Sequence, residues 1–514
     1  MHLDFCNFPA VQRGAAVPRR VPVLRCALAF ALLLTGCAVG SNYTRPNIVV
    51  PSSFKEAAPG WKVAQPADQQ DRGNWWALYR DTQLDALMGR LNAANQTVAQ
   101  FAAAYRQARA LTDEARASGF PTLSGSASGS RVGSGSASRG TTTSAVATGG
   151  SRISNSFSTP LDASWEADLW GGIARAVASQ KAAQQAAAAD LANARLSAQA
   201  TLAQNYYLLR TSDAQQKVLD ETVAAYQRTL ELTQNRYRQG IVPRSDVIYA
   251  QTQLQSAQSA ALGNGIARAR YEHAIAVLVG EPASTFSLPP APLDVTPPAI
   301  PVSVPSALLE RRPDVASAER KAAAANEQIG VAMAAFFPSL TLSAQGGSSS
   351  SMLAQLLRAP SRFWLLGPEL AVTIFDGGLR SAKVDAARAA YDEQVAVYRQ
   401  TVLAALQDVE DNLTSLRILE QQIALQQASV DSAQQALDIV LNQYKAGTAA
   451  YLSVLTAQAS LLSARQTLQS LAGQRMTASV GLIKALGGDW DVARLDTEAG
   501  SVAPLTAASE ALGS

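Results

Sequence analysis

Few residues of this chain could support covalent or metal chemistry. Cysteine occurs three times, at Cys6, Cys26 and Cys37, and histidine twice, at His2 and His273. No disulfide and no thiolate metal site can therefore lie beyond residue 37. One histidine in the remaining 477 residues gives little support to a zinc site or a histidine-based triad. We therefore expect no enzyme, no metal and no cofactor.

Cys37 is the cysteine whose surroundings indicate a reaction. Three arginines between residues 19 and 25 precede the apolar run 26–34, which is too short to span a membrane. A basic segment followed by a short apolar one is typical of a secretory signal, here residues 1–36. Leu34-Thr35-Gly36-Cys37 resembles a bacterial lipobox, which implies that Cys37 is acylated and becomes the new N-terminus. A buried cysteine placed there by chance is the alternative.

Charge excludes one class of partner. The net charge is +3, and residues 1–36 contain four arginines and one aspartate, so the remaining chain is close to neutral. A nucleic-acid-binding protein would need a basic surface. We expect no nucleic-acid partner.

The second half of the chain repeats the first. A set of residues recurs 207 positions later, and smaller sets recur 206 and 217 positions later. The first set runs through Asn235, Tyr237, Gly240, Val247, Ala250, Gln251, Arg268 and Gly280, and recurs at Asn442, Tyr444, Gly447, Val454, Ala457, Gln458, Arg475 and Gly487. Two copies of a unit of about 200 residues indicate one architecture built twice. Small changes of offset indicate loops of different length.

The spacing of apolar residues changes along each copy between a helical and a strand period. Apolar residues three to four apart predict a helix from about Asp81 to Gly119. Residues 152–169 then alternate strictly between apolar and polar, which predicts a strand with two unlike faces. Its partner begins at Thr122, and the Gly/Ser/Thr-rich stretch 130–150 between them is typical of a loop. The second copy has the same pattern from Ser339 to Phe375. Helices follow over residues 173–236, 246–279, 379–443 and 448–486.

These patterns divide the chain into six parts. They are the signal 1–36, a lipidated N-terminal linker 37–75, repeat 1 over 76–280, a proline-rich linker 281–310, repeat 2 over 311–488 and a tail 489–514. Repeat 1 contains a β-hairpin at 119–169 and a helical hairpin whose tip lies near residue 240. Repeat 2 contains a β-hairpin at 336–375 and a helical hairpin whose tip lies near residue 447.

The strands indicate how the chain meets a membrane. The sequence has no run of 18 apolar residues, so it predicts no transmembrane helix. Strands with one apolar and one polar face are typical of an outer-membrane barrel with a wet interior. The four strands of one chain cannot form a stable open sheet in lipid, because the backbone N–H and C=O groups at its two edges would lack hydrogen-bond partners. Two copies give eight strands, whose interior side chains fill, and three copies give twelve, which leaves a lumen.

At this point the sequence resembles the TolC-like outer membrane efflux proteins, specifically the lipidated NodT/OprM-type factors of tripartite pumps. The resemblance covers residues 37 to about 490. It is carried by the lipobox with Gly40-Ser41-Asn42-Tyr43-Thr44-Arg45-Pro46, Asn74-Trp75-Trp76, Trp165-Glu166-Ala167-Asp168-Leu169-Trp170-Gly171, Arg311-Arg312-Pro313-Asp314-Val315, Ile374-Phe375-Asp376-Gly377-Gly378 and both Tyr-x-x-Gly turns. It implies a mixed α and β homotrimer with a 12-stranded barrel in the outer membrane and a long α-helical barrel in the periplasm. It also implies docking on a periplasmic adaptor and an inner-membrane pump of the resistance-nodulation-division class.

The resemblance also implies a gate at the helix tips. Asp246 matches an acidic position of the family, whereas Ser453 and Thr456 stand where the second repeat would have further acids. A helix N-cap explains Asp246 equally well. Tyr237 and Tyr444 are candidates for inter-helix hydrogen bonds that hold the tip shut, with amphipathic packing as the alternative.

The tips are also implied to meet the adaptor. Gly240 and Gly447 fit turns that need a positive φ. Arg238 and Lys445 beside them are candidates for adaptor contacts, with solvated surface charges as the alternative.

The resemblance therefore implies that the protein passively conducts small molecules that the inner-membrane pump delivers. The outer channel of a type I protein secretion system is a second possibility, although those relatives usually lack a lipobox. A coiled-coil lipoprotein without a pore is a third. The two helical hairpins and two amphipathic strand pairs argue against an adaptor, which would have one hairpin.

Overall fold

Seven α-helices, three short 3₁₀-helices (Trp75–Tyr79, Leu353–Gln355 and Ala359–Ser361) and five strands build the computed structural model of the chain. These elements are counted over the residues that the structure describes, 39–51, 53–56, 74–134, 152–293, 295–298 and 311–488. The signal, Cys37, the loop at 135–151 and the C-terminal tail fall outside these residues. The described chain divides into two units. One contains the strands, within Ser118–Arg175 and Gly330–Lys383, and the other contains most of the helical residues.

The helices match the predicted segments closely. They are α1 (Thr82–Ala94), α2 (Gln96–Ala117), α3 (Gly172–Arg238), α4 (Arg244–Leu278), α5 (Pro313–Ala334), α6 (Leu379–Ala446) and α7 (Tyr451–Ala485). Alanines at successive turns of α3, such as Ala186, Ala189, Ala200 and Ala203, are nearly inaccessible. Their small side chains let neighbouring helices approach closely, as the Ala-rich composition predicts. Among the described helices, none is long and apolar enough to cross a bilayer.

The first predicted helix is in fact two. Asp81 caps α1 by accepting from the amides of Gln83 and Leu84, but Asn95 leaves helical geometry with ψ 120°. The Asn95 carboxamide then accepts from the Val98 amide at the start of α2, 2.9 Å away. It also donates to the Leu278 carbonyl at the end of α4, 2.7 Å away. A continuous helix from Asp81 to Gly119 was therefore the wrong prediction, because Asn95 bonds these local and distant groups instead.

The second repeat places Arg312 where the first has Asn95. Arg312 donates to the carbonyl of Ala485, 3.2 Å away, at the end of α7. It also pairs with Asp314 at 2.7 Å and with Asp408 at 3.1 Å. Orphan carbonyls at a helix C-terminus need such donors. Arg312 of the Arg-Arg-Pro-Asp motif thus closes the end of a long helix.

The helical unit has one large core around the Asn-Trp-Trp motif. Trp75 and Trp76 pack edge to face with centroids 5.8 Å apart, and both are buried with Tyr79. The Trp75 indole donates to Gln199 of α3 at 3.2 Å. A buried indole with its N–H satisfied combines a large apolar area with a fixed orientation. This core anchors α1 to α3.

The N-terminal segment is packed rather than a free linker where it is described. Arg45 donates to the Tyr398 hydroxyl of α6 at 3.0 Å. The backbone amides of Lys55 and Glu56 both donate to the Glu410 carboxylate, at 2.7 and 3.0 Å. Arg45, Lys55 and Glu56 therefore lie against α6, a distant contact that the proline-rich composition of the segment did not indicate.

The strands form one antiparallel sheet. They are β1 (Thr122–Gly125), β2 (Ser128–Ser134), β3 (Arg152–Ala167), β4 (Ser339–Ser350) and β5 (Arg362–Ala371). Both β1 and β2 pair with β3, which pairs with β4, which pairs with β5. The segments β1 and β2 thus occupy one strand position, broken at residues 126–127, so the sheet has the four positions that the sequence predicts. Among the described residues β1, β2 and β5 each pair on one side.

Candidate functional site

Two features of the structure are candidates for function, and each belongs to one unit. The first is the pair of helix tips, by which we mean residues 236–246 and 443–456. The second is the pair of sheet faces.

Each helix tip turns on a glycine in the left-handed conformation. Gly240 has φ +72° and Gly447 has φ +78°, which confirms the prediction. The Gly240 amide donates to the Tyr237 carbonyl and the Ile241 amide to the Arg236 carbonyl, both at 2.9 Å. Gly447 and Thr448 make the equivalent bonds in the second repeat. This double bond pattern satisfies the last carbonyls of a helix and needs a residue without a Cβ.

Arg236 joins the two tips, and sequence reasoning missed it. Its Nη1 donates to the carbonyls of Tyr444 and Lys445, each 2.8 Å away, at the C-terminal end of α6. Its guanidinium lies 4.9 Å from the centroid of the Tyr444 ring. A cation suits this end of the helix, where the dipole is negative. With the repeat offset of 207, the equivalent of Arg236 in the second repeat is Gln443. This difference between the repeats is the sequence signal that could have pointed to Arg236.

Tyr444 and Tyr237 occupy unlike surroundings although they are repeat equivalents. Tyr444 is 2 % exposed and packs edge to face on Tyr451, 5.6 Å between centroids, in a cluster with Ala250 and Val454. Tyr237 is 43 % exposed. Among the described residues the Tyr444 hydroxyl has no hydrogen-bond partner. Within one chain Tyr444 therefore packs, and a hydrogen bond that holds the gate shut stays a prediction.

Asp246 lies in the first turn of α4 and is partly buried. The N-cap of α4 is Pro243, without a side-chain capping bond, so the N-cap interpretation of Asp246 was wrong. The helix begins three residues earlier than that interpretation requires, because the N-cap is residue 243 rather than 246. Partial burial raises the pKa of Asp246, and a hydrogen bond from the Ser245 hydroxyl acts in the opposite direction. Burial also raises the pKa of nearby Tyr451, to about 12.

Ser453 and Thr456 are exposed on α7. The Thr456 hydroxyl donates to the Leu452 carbonyl at 3.0 Å, so it is satisfied within its own helix. Arg238 and Lys445 are both exposed beside the glycine turns, and Arg238 also donates to the Asn235 carboxamide. The structure thus gathers the predicted tip residues on two neighbouring turns. Their role in gating or docking stays a prediction.

The sheet has one apolar and one polar face, as its period predicts. Residues paired across an antiparallel ladder project to the same side. The register therefore defines an apolar face made of Leu123, Leu161, Ala163, Trp165, Ala167, Leu340, Leu342, Ala344, Trp364, Leu366, Pro368 and Leu370. Most of its large members are exposed in a single chain, Trp364 to 78 %, and Leu340 is half-buried. Several unpacked apolar side chains in a row indicate a surface that another phase or molecule covers.

The polar face carries the acids of the strands. It consists mainly of Thr122, Ser124, Asp162, Ser164, Glu166, Thr341, Ser343, Gln345 and Glu369, with Val132, Pro160, Phe363 and Leu365 as apolar members. The Gln345 carboxamide of β4 donates to the Asp162 carboxylate of the neighbouring strand β3 at 2.5 Å. Glu166, Thr341 and Glu369 are direct partners in one row across β3, β4 and β5. Such a face suits water rather than lipid.

Among the described residues, no three or more histidine, cysteine, aspartate or glutamate side chains are grouped closely enough to hold an ion. Cys37, the predicted lipid attachment site, lies outside the described residues.

Comparison with known proteins identifies the family. Residues 87–281 and 304–488 match the family model described as outer membrane efflux protein, so each copy of the sequence repeat corresponds to one matched segment. The chain is 32 % identical over 462 residues to the pyoverdine export outer membrane protein OpmQ of Pseudomonas aeruginosa, covering 89 % of this chain and 95 % of OpmQ. It is 30 % identical over 467 residues to the cation efflux system protein CusC of Escherichia coli, covering 90 % and 97 % of the two chains. The chain belongs to the TolC-like outer membrane efflux protein family.

Solved structures agree with this assignment. The outer-membrane channel OprN superposes with a TM-score of 0.81 at 26 % identity, over 88 % of this chain and 99 % of that one. The outer membrane channel MtrE of Neisseria gonorrhoeae superposes with a TM-score of 0.76 at 26 % identity, over 88 % and 98 %. The chain has the fold of these channels, and it is an outer membrane protein of an efflux system.

Proposed function

We propose that three copies of the chain form a channel with a 12-stranded β-barrel in the outer membrane and an α-helical barrel in the periplasm. The observation that carries this is the sheet, with its exposed apolar face, its polar face and its edges at β1, β2 and β5. An open edge in lipid leaves backbone groups unsatisfied at several kcal/mol each, so the sheet must close on other copies. Four strand positions per copy give a closed barrel with a lumen when three copies join.

The channel conducts passively. The sequence contains no phosphate-binding loop, so an inner-membrane pump of the resistance-nodulation-division class supplies the energy and a periplasmic adaptor connects the two proteins. The relatives are named for unlike cargoes, pyoverdine in one case and cations in another. A polar wall rich in Ser, Thr and Gln suits small molecules of varied structure.

Cys37 anchors the mature N-terminus in the inner leaflet of the outer membrane. Two contacts of the sheet-containing unit support this placement. The Val39 amide donates to the Trp170 carbonyl at 3.1 Å, and Arg175 donates to the Gly40 carbonyl at 3.1 Å. Trp170 follows closely after the end of β3, so Val39, two residues after Cys37 in the sequence, lies beside that end of the sheet. Acyl chains on Cys37 would enter the membrane there.

The helix tips act as the gate and as the docking surface for the adaptor. Asp246, brought from each copy to the axis, forms one acidic ring, with Tyr237, Tyr444, Ser453 and Thr456 around it. Like charges at a constriction repel unless a cation or a hydrogen bond compensates them. The turns at Gly240 and Gly447, with Arg238 and Lys445, meet the adaptor.

Two neighbouring leucines provide the sharpest test of the barrel. Leu366 lies on the apolar face and Leu365 on the polar face, and both are largely exposed in one chain. A lysine facing lipid near the midplane costs about 2–4 kcal/mol per copy. We expect Leu366→Lys to abolish trimers and pores, whereas Leu365→Lys assembles normally and lowers the conductance for cations because its positive charge repels them.

Light scattering in detergent and planar-bilayer recording measure these outcomes. The wild type should be a trimer that conducts ions. A monomeric wild type, or equal tolerance of the two lysines, contradicts the barrel. Secretion of an unfolded protein substrate by a reconstituted type I system, without efflux of small molecules, would favour the type I channel instead.

A further inference from the structure

The apolar face of the sheet becomes mixed toward the hairpin loops, where Phe157 and Ile153 of β3 alternate with polar residues. Its last fully apolar row joins Leu161, Gly346 and Trp364. The next row on the same face joins Thr159, Ser348 and Arg362. Because successive residues on one face are about 7 Å apart along a strand, Arg362 lies about 7 Å beyond Trp364. Exposed tryptophan is enriched where hydrocarbon gives way to headgroups, so Arg362 lies at headgroup level.

A second arginine lies farther out on this face. Beyond Thr159 on β3 the same face carries Phe157, Asn155 and Ile153, and the direct partner of Asn155 on β2 is Arg131. Both arginines are exposed. In the part of the chain that the structure describes, neither side chain has an ion pair or hydrogen bond. Asn155 is the direct partner of Arg131, and Ser348 and Thr159 lie in the same row as Arg362, so hydroxyl and carboxamide groups share the face with the two arginines.

Charge is segregated across the sheet. Asp162, Glu166 and Glu369 all project from the polar face, whereas Arg131 and Arg362 project from the opposite one. Intramolecular pairing therefore does not explain the arginines. A guanidinium presents a planar fork of donors that matches a phosphate bidentately. Neighbouring hydroxyl and amide groups match sugar hydroxyls.

We propose that Arg131 and Arg362, with Asn155, Thr159 and Ser348, form a binding site for the phosphorylated headgroup of a glycolipid in the leaflet at the hairpin-loop end of the sheet. This inference rests on the proposed barrel, in which the apolar face contacts lipid. The loop end is the one opposite to the strand ends that lead into helices α3 and α6. In the closed trimer the site recurs three times around the perimeter.

The test uses the purified trimer in neutral detergent and diphosphoryl lipid A as the probe. Native mass spectrometry counts bound lipid, with dephosphorylated lipid A and phosphatidylglycerol as competitors. The wild type should retain diphosphoryl lipid A, with affinity that falls as salt rises. The double variant Arg131→Gln/Arg362→Gln should bind at least tenfold more weakly, and Arg362→Lys should lose less because it keeps the charge without the fork.

The matched control is Arg109→Gln, an exposed arginine on α2 in the other unit, which should bind as the wild type does. Equal lipid A binding by the double variant overturns the site. Equal binding of phosphatidylglycerol at the same arginines overturns the glycolipid assignment. Each variant is also checked for trimer mass and conductance, so a wild type that forms no conducting trimer refutes the proposed function separately.

Discussion

Arg236 should hold the two helix tips of one chain together, and replacing it with methionine tests this. Arg236→Met keeps the unbranched stem but removes the bonds to the Tyr444 and Lys445 carbonyls and the contact with the Tyr444 ring. A hydrogen bond from a charged group contributes about 1.5–3 kcal/mol, and an exposed cation–π contact about 0.5–1 kcal/mol. One nitrogen serves both carbonyls and the side chain is partly solvated, so we expect a local loss of about 2 kcal/mol.

Amide hydrogen exchange of the tip measures this loss directly. The amides of Gly447 and Thr448 close the turn that Arg236 supports. A loss of 2 kcal/mol corresponds to about 30-fold more frequent local opening, and these two amides should exchange faster by that factor. Single-channel records of the same variant should show more frequent openings.

The matched control is Arg238→Met, two residues away and exposed beside the same glycine. Among the described residues its side chain hydrogen-bonds to Asn235 within the same helix and not to the other tip, so exchange at the tip should change by less than about twofold. Arg236→Lys should fall between the two, because an ammonium group retains the charge but not the fork. Equal exchange in Arg236→Met and Arg238→Met would show that Arg236 does not join the tips.

Further predictions concern the anchor, the gate and the fold. Cys37→Ser should remove the diacylglyceryl mass from the mature protein while the barrel still holds it in the membrane, and an unmodified wild-type N-terminus refutes the anchor. Asp246→Ala should weaken block by divalent cations and Ser453→Asp should strengthen it, and unchanged single-channel block in both would remove Asp246 from the constriction. Because burial raises the pKa of Asp246, its charge and the block should be lost, as pH falls, at a higher pH than for a solvated carboxyl. Gly280→Ala should destabilise the protein by at least about 1–2 kcal/mol, because Gly280 has φ +77° and a Cβ there would lie 2.5 Å from the Ala94 carbonyl oxygen. The melting temperature measures this loss. Gly263→Ala is the control, because a Cβ at residue 263 would meet no atom within 4 Å.

The sequence by itself determined what depends on period and on single backbone conformations. Alternation over residues 152–167 was sufficient for β3 and its two faces, because side chains on a strand project to opposite sides in turn. The glycines at 240 and 447 marked both turns, because a positive φ excludes most other residues. The offset of 207 residues indicated two copies, and from four strand positions the need for closure followed.

Only the tertiary structure decided which distant side chains meet. Arg236 and Tyr444 are 208 residues apart, and the choice of Arg236 over its repeat equivalent Gln443 depends on how the two hairpins pack. The break at Asn95 was also hidden, because its stabilising partner at Leu278 lies 183 residues away. The same holds for the arginines beyond Trp364, since the strand register alone places Arg362 in line with Thr159. Periodicity fixes the face on which a side chain lies, whereas its partner depends on how far each element is shifted along its neighbour, and packing of the whole chain sets that shift.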